Sequence, residues 1–137
     1  MSASNPTSEE AGDADQRLIL VVDDEPSVRG MVLASIRVNA RRYRVVEAGN
    51  ATDAVRQAEA HGPDLVLLDV ALPDHDGFWV CQQLKKSTHT SHIPVIMLTA
   101  MGLPSDRDRA LAAGADGYIV KPFSPRALLA ELDRRLA

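Results

Sequence analysis

Along the chain, short runs of β-branched and other apolar residues alternate with longer stretches whose apolar positions recur every three to four residues. The short runs are LILVV (18–22), YRVVEA (43–48), DLVLLDV (64–70), IPVIML (93–98) and GYIV (117–120). Several are apolar on both faces, as expected of strands covered by helices on both sides. The helical-period stretches run from Pro26 to about Asn39, Ala51 to about His61, Gly77 to about Lys86, Ser105 to about Ala113 and Pro125 to Leu136. Pro26 suits a first helical turn, Ser124 and Pro125 read as an N-cap and N1 pair, and Gly62 and Gly114 suit C-terminal stops. Five β-α pairs in strict alternation predict an α/β fold, a doubly wound parallel five-stranded sheet, because each crossover helix packs back on the sheet with the same hand.

In open sheets of this kind the carboxyl ends of the strands border the crevice where ligands bind. Asp23 and Asp24 follow the first strand, Asp69 ends the third, Thr99 follows the fourth and Lys121 follows the fifth, so all five groups are expected at one edge. Three carboxylates in one place do not stay ionised together without a cation. Hard oxygen ligands, with no thiolate or imidazole in the pattern, point to Mg2+ or Mn2+. A divalent ion at such a cluster offers coordination to a phosphoryl group, whose remaining oxygens Lys121 and the Thr99 hydroxyl would hold. One carboxylate acting as nucleophile would yield an acyl phosphate.

At 137 residues and 45% hydrophobic content the chain has the length and core material of one domain. Residues 1–16 hold Glu9, Glu10, Asp13 and Asp15 with no Lys or Arg, and too little apolar surface to offset the entropy of ordering them, so they are expected to form a disordered acidic tail. The rest, 17–137, carries 15 acidic and 15 basic residues, and that balance argues against direct nucleic-acid or membrane binding. The lone Cys81 cannot form an internal disulfide, and neither a spanning segment nor a signal peptide is evident; a cytoplasmic location is expected.

Four segments carry a specific resemblance. VVDDEP, LVLLDVALPDHDG, VIMLTA and GYIVKPF resemble, in this order and on these elements, the acidic pair, the phosphoacceptor segment, the switch-threonine segment and the aromatic-plus-lysine segment of the receiver domains of bacterial response regulators. The match covers residues 17–137. It implies the flavodoxin-like strand order 2-1-3-4-5, with Asp69 as the phosphorylated aspartate. Asp24 and Asp69 would bind the metal directly, Asp23 through water, and the backbone carbonyl of Ala71 would add a ligand. Thr99 would donate to the phosphoryl group, Lys121 would pair with its charge, and Tyr118 would be the switching aromatic. A cis Lys121-Pro122 bond is also implied. The resemblance makes the protein a switch in a phosphorelay, not an enzyme beyond its own phosphoryl transfer and slow dephosphorylation. Its partners would be a sensor histidine kinase or histidine phosphotransfer protein, and a downstream effector protein or domain meeting the surface of the fourth helix, fifth strand and fifth helix; a weak homodimer also fits. The sequence carries no helix-turn-helix pattern, and both a stand-alone receiver and a piece of a longer regulator agree with it.

Two rival readings fit these residues less well. An aspartyl phosphatase of the haloacid dehalogenase type needs a second acid two residues after the nucleophile, and here that place is Ala71. A receiver-like module that works without phosphorylation usually lacks an acid or the lysine, and this chain keeps all of them. Elsewhere the simpler readings prevail: Cys81 as core, His89 and His92 as polar-loop residues, His75 as a solvated neighbour of Asp69, and Arg37, Arg41, Arg42 and Arg44 as a solvated turn. Trp79 points away from the side shared by Phe78, Val80, Cys81 and Leu84, which leaves an exposed indole and one lying flat on its neighbours equally open. Ala71 and Met101, two residues after Asp69 and Thr99, offer no hydrogen bond to an attacking water, and slow hydrolysis of the acyl phosphate is expected.

Overall fold

The computed structural model describes residues 16–38, 42–100 and 104–136. Its elements alternate as β1 (Arg17–Val22), α1 (Pro26–Arg37), β2 (Tyr43–Ala48), α2 (Ala51–His61), β3 (Leu65–Asp69), α3 (Gly77–Lys86), β4 (Val95–Thr99), α4 (Pro104–Ala112), β5 (Gly117–Val120) and α5 (Pro125–Leu136). All neighbouring strands are parallel, in the order β2-β1-β3-β4-β5, as the alternation and the resemblance imply.

The two-faced apolar runs explain the layering. Leu20, Val22, Val66, Leu68, Val95 and Met97 pack with Ala51, Ala54 and Ala58 of α2, Phe78, Cys81 and Leu84 of α3 and Ala110 of α4. The alternate residues Ile19, Val21, Leu65, Leu67, Ile96 and Leu98 face Val32 and Ile36 of α1 and Leu128 and Leu132 of α5. Each fully buried Leu or Ile contributes roughly 1.5–3 kcal/mol, which fixes the register because a one-residue slip would swap the two faces. The tail proposed for 1–16 lies outside the described residues except for Gln16.

Helix termini follow local chemistry. Gly62 closes α2 with a left-handed φ of 56°, and the Ser124 hydroxyl accepts from Ala127 N–H at 3.0 Å at the start of α5. α1 ends at Arg37, short of the expected Asn39, which with Ala40 and Arg41 lies outside the described residues. β4 begins at Val95 because Pro94 has no N–H to give; its carbonyl still accepts from Val66 N–H at 3.0 Å, and Ile93 is buried beside the strand rather than in it. Trp79 is half-buried, with the His75 imidazole stacked on it at 3.8 Å between centroids and 11° between planes, the flat-lying arrangement of the two left open.

Candidate functional site

Strand pairing places the acids side by side. Val22 pairs with Leu68, so Asp23 and Asp69 leave adjacent strands at the same level, while Asp69 itself pairs with Leu98 next to Thr99. Carboxylate oxygens of Asp23, Asp24 and Asp69 lie within 4.8 Å of one another. Asp23 is fully buried and Asp24 is exposed. Asp23 Oδ1 accepts from Glu25 N–H at 3.0 Å, and its Oδ2 accepts from the Lys121 ammonium at 2.9 Å. Lys121 also donates to Asp69 Oδ1 at 3.1 Å. Arg29 on α1 donates to the Asp23 carbonyl at 2.5 Å and to Glu47 at 3.2 Å, bracing the turn that carries both aspartates.

One ammonium does not balance three carboxylates. Burial, and then the neighbouring Asp23 charge, push the Asp69 carboxyl above its ordinary value against the opposing pull of Lys121 and the Ala71 N–H. Burial pulls the Lys121 ammonium down, but its hydrogen bond to Asp23 and the charge of Asp69 outweigh it, and the net shift is upward. An all-oxygen donor set that is short of positive charge suits a hard divalent cation, Mg2+ or Mn2+, and Ala71 lines the same cleft. Among the described residues no other group of three metal-ligating side chains forms, and His89 and His92 are exposed in a turn.

Asp24, Asp69, Ala71, Thr99 and Lys121 line a cleft of about 600 Å³ together with Glu25, Val70, Ala100, Asp106 and Arg109. Thr99 is buried at its edge, with its carbonyl accepting from Lys121 N–H at 2.7 Å. The Lys121-Pro122 bond is cis. Tyr118 is half-buried two residues up from Val120, which pairs with Thr99, and the Arg107 guanidinium lies 5.9 Å from its ring centroid. Met101 lies outside the described residues. His75 is not among the cleft-lining residues. Arg42 stays half-exposed and pairs with Asp133 at 3.4 Å, which agrees with a solvated turn.

Four contributing residues are not legible in the sequence pattern. Asp106 and Arg109, one turn apart on α4, reach the cleft, and an i, i+3 pair of opposite charges just after Thr99 was the available signal. Asp74 accepts from Ala51 N–H (2.8 Å), Thr52 N–H (2.9 Å) and the Thr52 hydroxyl (2.7 Å), so the β3-α3 loop is tied to the start of α2. Those hydrogen bonds outweigh the cost of burial and hold its carboxyl well below the usual range. Gly77 is required by space: a Cβ there would collide with the Asp69 carbonyl oxygen.

A family model described as "Response regulator receiver domain" matches residues 19–133. The phosphate regulon transcriptional regulatory protein PhoB of Escherichia coli K12 is 46% identical over 116 residues, 85% of this chain and 50% of its own length. The probable transcriptional regulator ycf27 of Cyanophora paradoxa is 45% identical over 117 residues, 85% of this chain and 47% of its own. The chain thus spans about half the length of these curated relatives. Among solved structures, chemotaxis protein CheY4 of Vibrio cholerae superposes with a TM-score of 0.83 at 31% identity, covering 88% of this chain and 99% of that one. The receiver domain of sensor histidine kinase PA1611 of Pseudomonas aeruginosa, solved with magnesium coordinated in its active-site cleft, gives 0.80 at 33% identity, covering 88% and 97%. With sequence, fold and the strand-end acid cluster in agreement, the chain belongs to the response regulator receiver domain family of two-component systems.

Proposed function

We propose that Asp69 accepts a phosphoryl group from the phosphohistidine of a sensor histidine kinase or phosphotransfer protein, or from a small phosphodonor, and that the acyl phosphate switches the protein's signalling state. The observation that carries this reading is the convergence of Asp23, Asp24, Asp69 and Lys121 at the carboxyl ends of β1, β3 and β5. An Asp69 oxygen attacks phosphorus, the P–N bond breaks, and the imidazole leaves with the electron pair. Asp24 and Asp69 would hold Mg2+ or Mn2+ with the Ala71 carbonyl, and Asp23, both of whose oxygens are already engaged, would reach it through water. When bound, the ion neutralises the phosphoryl oxygens and orients them for in-line attack. Lys121 pairs with the added charge, and the Thr99 hydroxyl donates to a phosphoryl oxygen.

Receiver domains are signalling switches rather than conventional enzymes, and the output here would be a change at the α4-β5-α5 surface, read by an effector protein or domain or by a second copy. Thr99 and Tyr118 lie on the strands that feed that surface. Ala71 offers no side-chain hydrogen bond to a hydrolytic water, which favours a long-lived acyl phosphate. Among the described residues no helix is long and apolar enough to cross a membrane. The test is intact-mass analysis after acetyl phosphate and Mg2+: one phosphoryl group is expected on the wild type, none on Asp69→Asn, and none with EDTA. Equal labelling of Asp69→Asn would overturn the assignment.

A further inference from the structure

The cleft is wider than its acid cluster, and its far wall carries chemistry that the switch reading does not use. Strand order puts β1 and β4 on opposite sides of β3, so Asp24 and Glu25 stand on one side of Asp69 while Asp106 and Arg109 of α4 stand on the other. Among the described residues lining the cleft, Lys121 and Arg109 are the two cations. Lys121 is committed to Asp23 and Asp69 at the floor. Arg109 is different. Its side chain is 60% exposed, its guanidinium carbon lies 4.3 Å from the Phe78 ring centroid, and its nearest carboxylate, Asp76, is 3.9 Å away at the start of α3. That is a supported but loosely paired guanidinium on a residue that lines both the acid cleft and the neighbouring groove with Asp76 and Phe78.

An in-line attack by Asp69 sends the leaving group away from the floor, towards the open side of the cleft. Asp24, Glu25 and Asp106 also line that cleft. A donor whose leaving group departs as an anion therefore meets repulsion on this path unless a cation receives it. We infer that Arg109 is a specificity-determining residue that receives the departing carboxylate of acyl phosphate donors. In the step, an Asp69 oxygen forms the new P–O bond, the P–O bond to the acyl group breaks, and the carboxylate leaves with the electron pair and one negative charge, which the guanidinium fork can meet with two N–H donors. Phosphoramidate, whose nitrogen leaves as neutral ammonia, presents no such anion. The inference rests on Asp69 being the phosphoacceptor.

The experiment compares initial rates of Asp69 labelling by acetyl phosphate and by phosphoramidate, in Mg2+ at fixed ionic strength, for wild type, Arg109→Ala, Arg109→Lys and Arg109→Glu. The readout is the ratio of the two rates within each protein, which cancels any general loss of site integrity or metal affinity. Arg109→Ala is expected to lower the acetyl phosphate to phosphoramidate ratio about fivefold to tenfold, Arg109→Glu to lower it further, and Arg109→Lys to keep most of it. A ratio within twofold of wild type in both the Ala and the Glu variants would overturn the inference while leaving the phosphoacceptor intact. Failure of either donor to label wild-type Asp69 would instead overturn the reading on which it rests.

Discussion

Replacing Lys121 with Met keeps the side chain's length and apolar stem and removes only the ammonium, which isolates its electrostatic role. In wild type the Lys121 side chain is 19% exposed, and its ammonium bridges the fully buried Asp23 side chain and the 7% exposed Asp69 side chain at 2.9 and 3.1 Å. Breaking a buried ion pair by removing one partner costs about 3–5 kcal/mol. Two features place this site at the low end. Asp23 keeps its hydrogen bond from Glu25 N–H, and the open cleft admits water to Asp69. The loss expected at pH 7 in EDTA is therefore about 3 kcal/mol, a large share of the roughly 5–15 kcal/mol that holds a domain of this size. Excess Mg2+ supplies the missing charge to the same carboxylates, so the deficit should shrink to about 1 kcal/mol. The Lys121 ammonium titrates above its ordinary 10.5 in the fold, so its contribution is complete below that value and is lost as pH climbs past the raised one. Urea unfolding followed by circular dichroism and Trp79 fluorescence, with and without Mg2+, measures the difference. A loss under 1 kcal/mol in EDTA, or equal losses with and without Mg2+, would refute the reasoning.

Three further outcomes follow from the same geometry. Asp69 ionises less readily in the fold than in the unfolded chain, so its contribution is most favourable below its ordinary 3.8 and declines as pH rises through the raised value; Asp69→Asn should raise the melting temperature at pH 7 in EDTA, and a lower one would contradict this. Gly77→Ala drives a Cβ into the Asp69 carbonyl oxygen, with the Asp69 carbonyl carbon and Met97 Cε each at 3.0 Å, and should cost about 2–3 kcal/mol by guanidinium unfolding; wild-type stability would show that the loop yields freely. Asp74→Ala frees the loop bearing Ala71 from α2 and should weaken Mg2+ binding about tenfold by fluorescence titration, with an unchanged affinity counting against the tether.

Much of this site was legible because strand ends are easy to locate. Runs such as LVLLD are buried on both faces, so the first carboxylate after the apolar stretch necessarily stands at the sheet edge, and the β1-β3 register sets Asp23 beside Asp69. Helix α4 lacked that handle. In PSDRDRALA only Ala110 is buried, so no apolar stripe phased the helix and nothing in the pattern aimed Asp106 and Arg109 at the cleft. Asp74 was hidden for another reason: its partners lie 22 and 23 residues away, and a hydrogen bond of that span leaves no periodic trace. The stack of His75 on Trp79 likewise depends on the turn that brings a loop ring over the first turn of α3.

The mechanical link from site to surface follows from charge and register together. Phosphorylation of Asp69, as proposed, would replace a carboxylate bearing one negative charge with a group bearing about 1.5 to 2, in a cleft already short of positive charge. Lys121 is already engaged with two acids, so added phosphoryl oxygens would favour any rearrangement that brings another donor to them, and Thr99, buried at the end of β4, lines the same cleft. Thr99 is not independent of its neighbour strand. Its carbonyl receives Lys121 N–H at 2.7 Å and its Cα partner is Val120, whose side chain is exposed on the outer strand. A shift of Thr99 towards a phosphoryl group on Asp69 would therefore change the space beside β5 next to the half-buried Tyr118, whose ring has the Arg107 guanidinium of α4 over it. Because the packed core on both faces of the sheet resists gradual deformation, such a shift would bias one discrete packing of β5 and α4 over another, and the free energy available for that bias would be the differential interaction of Thr99 and Lys121 with the phosphorylated and unphosphorylated aspartate.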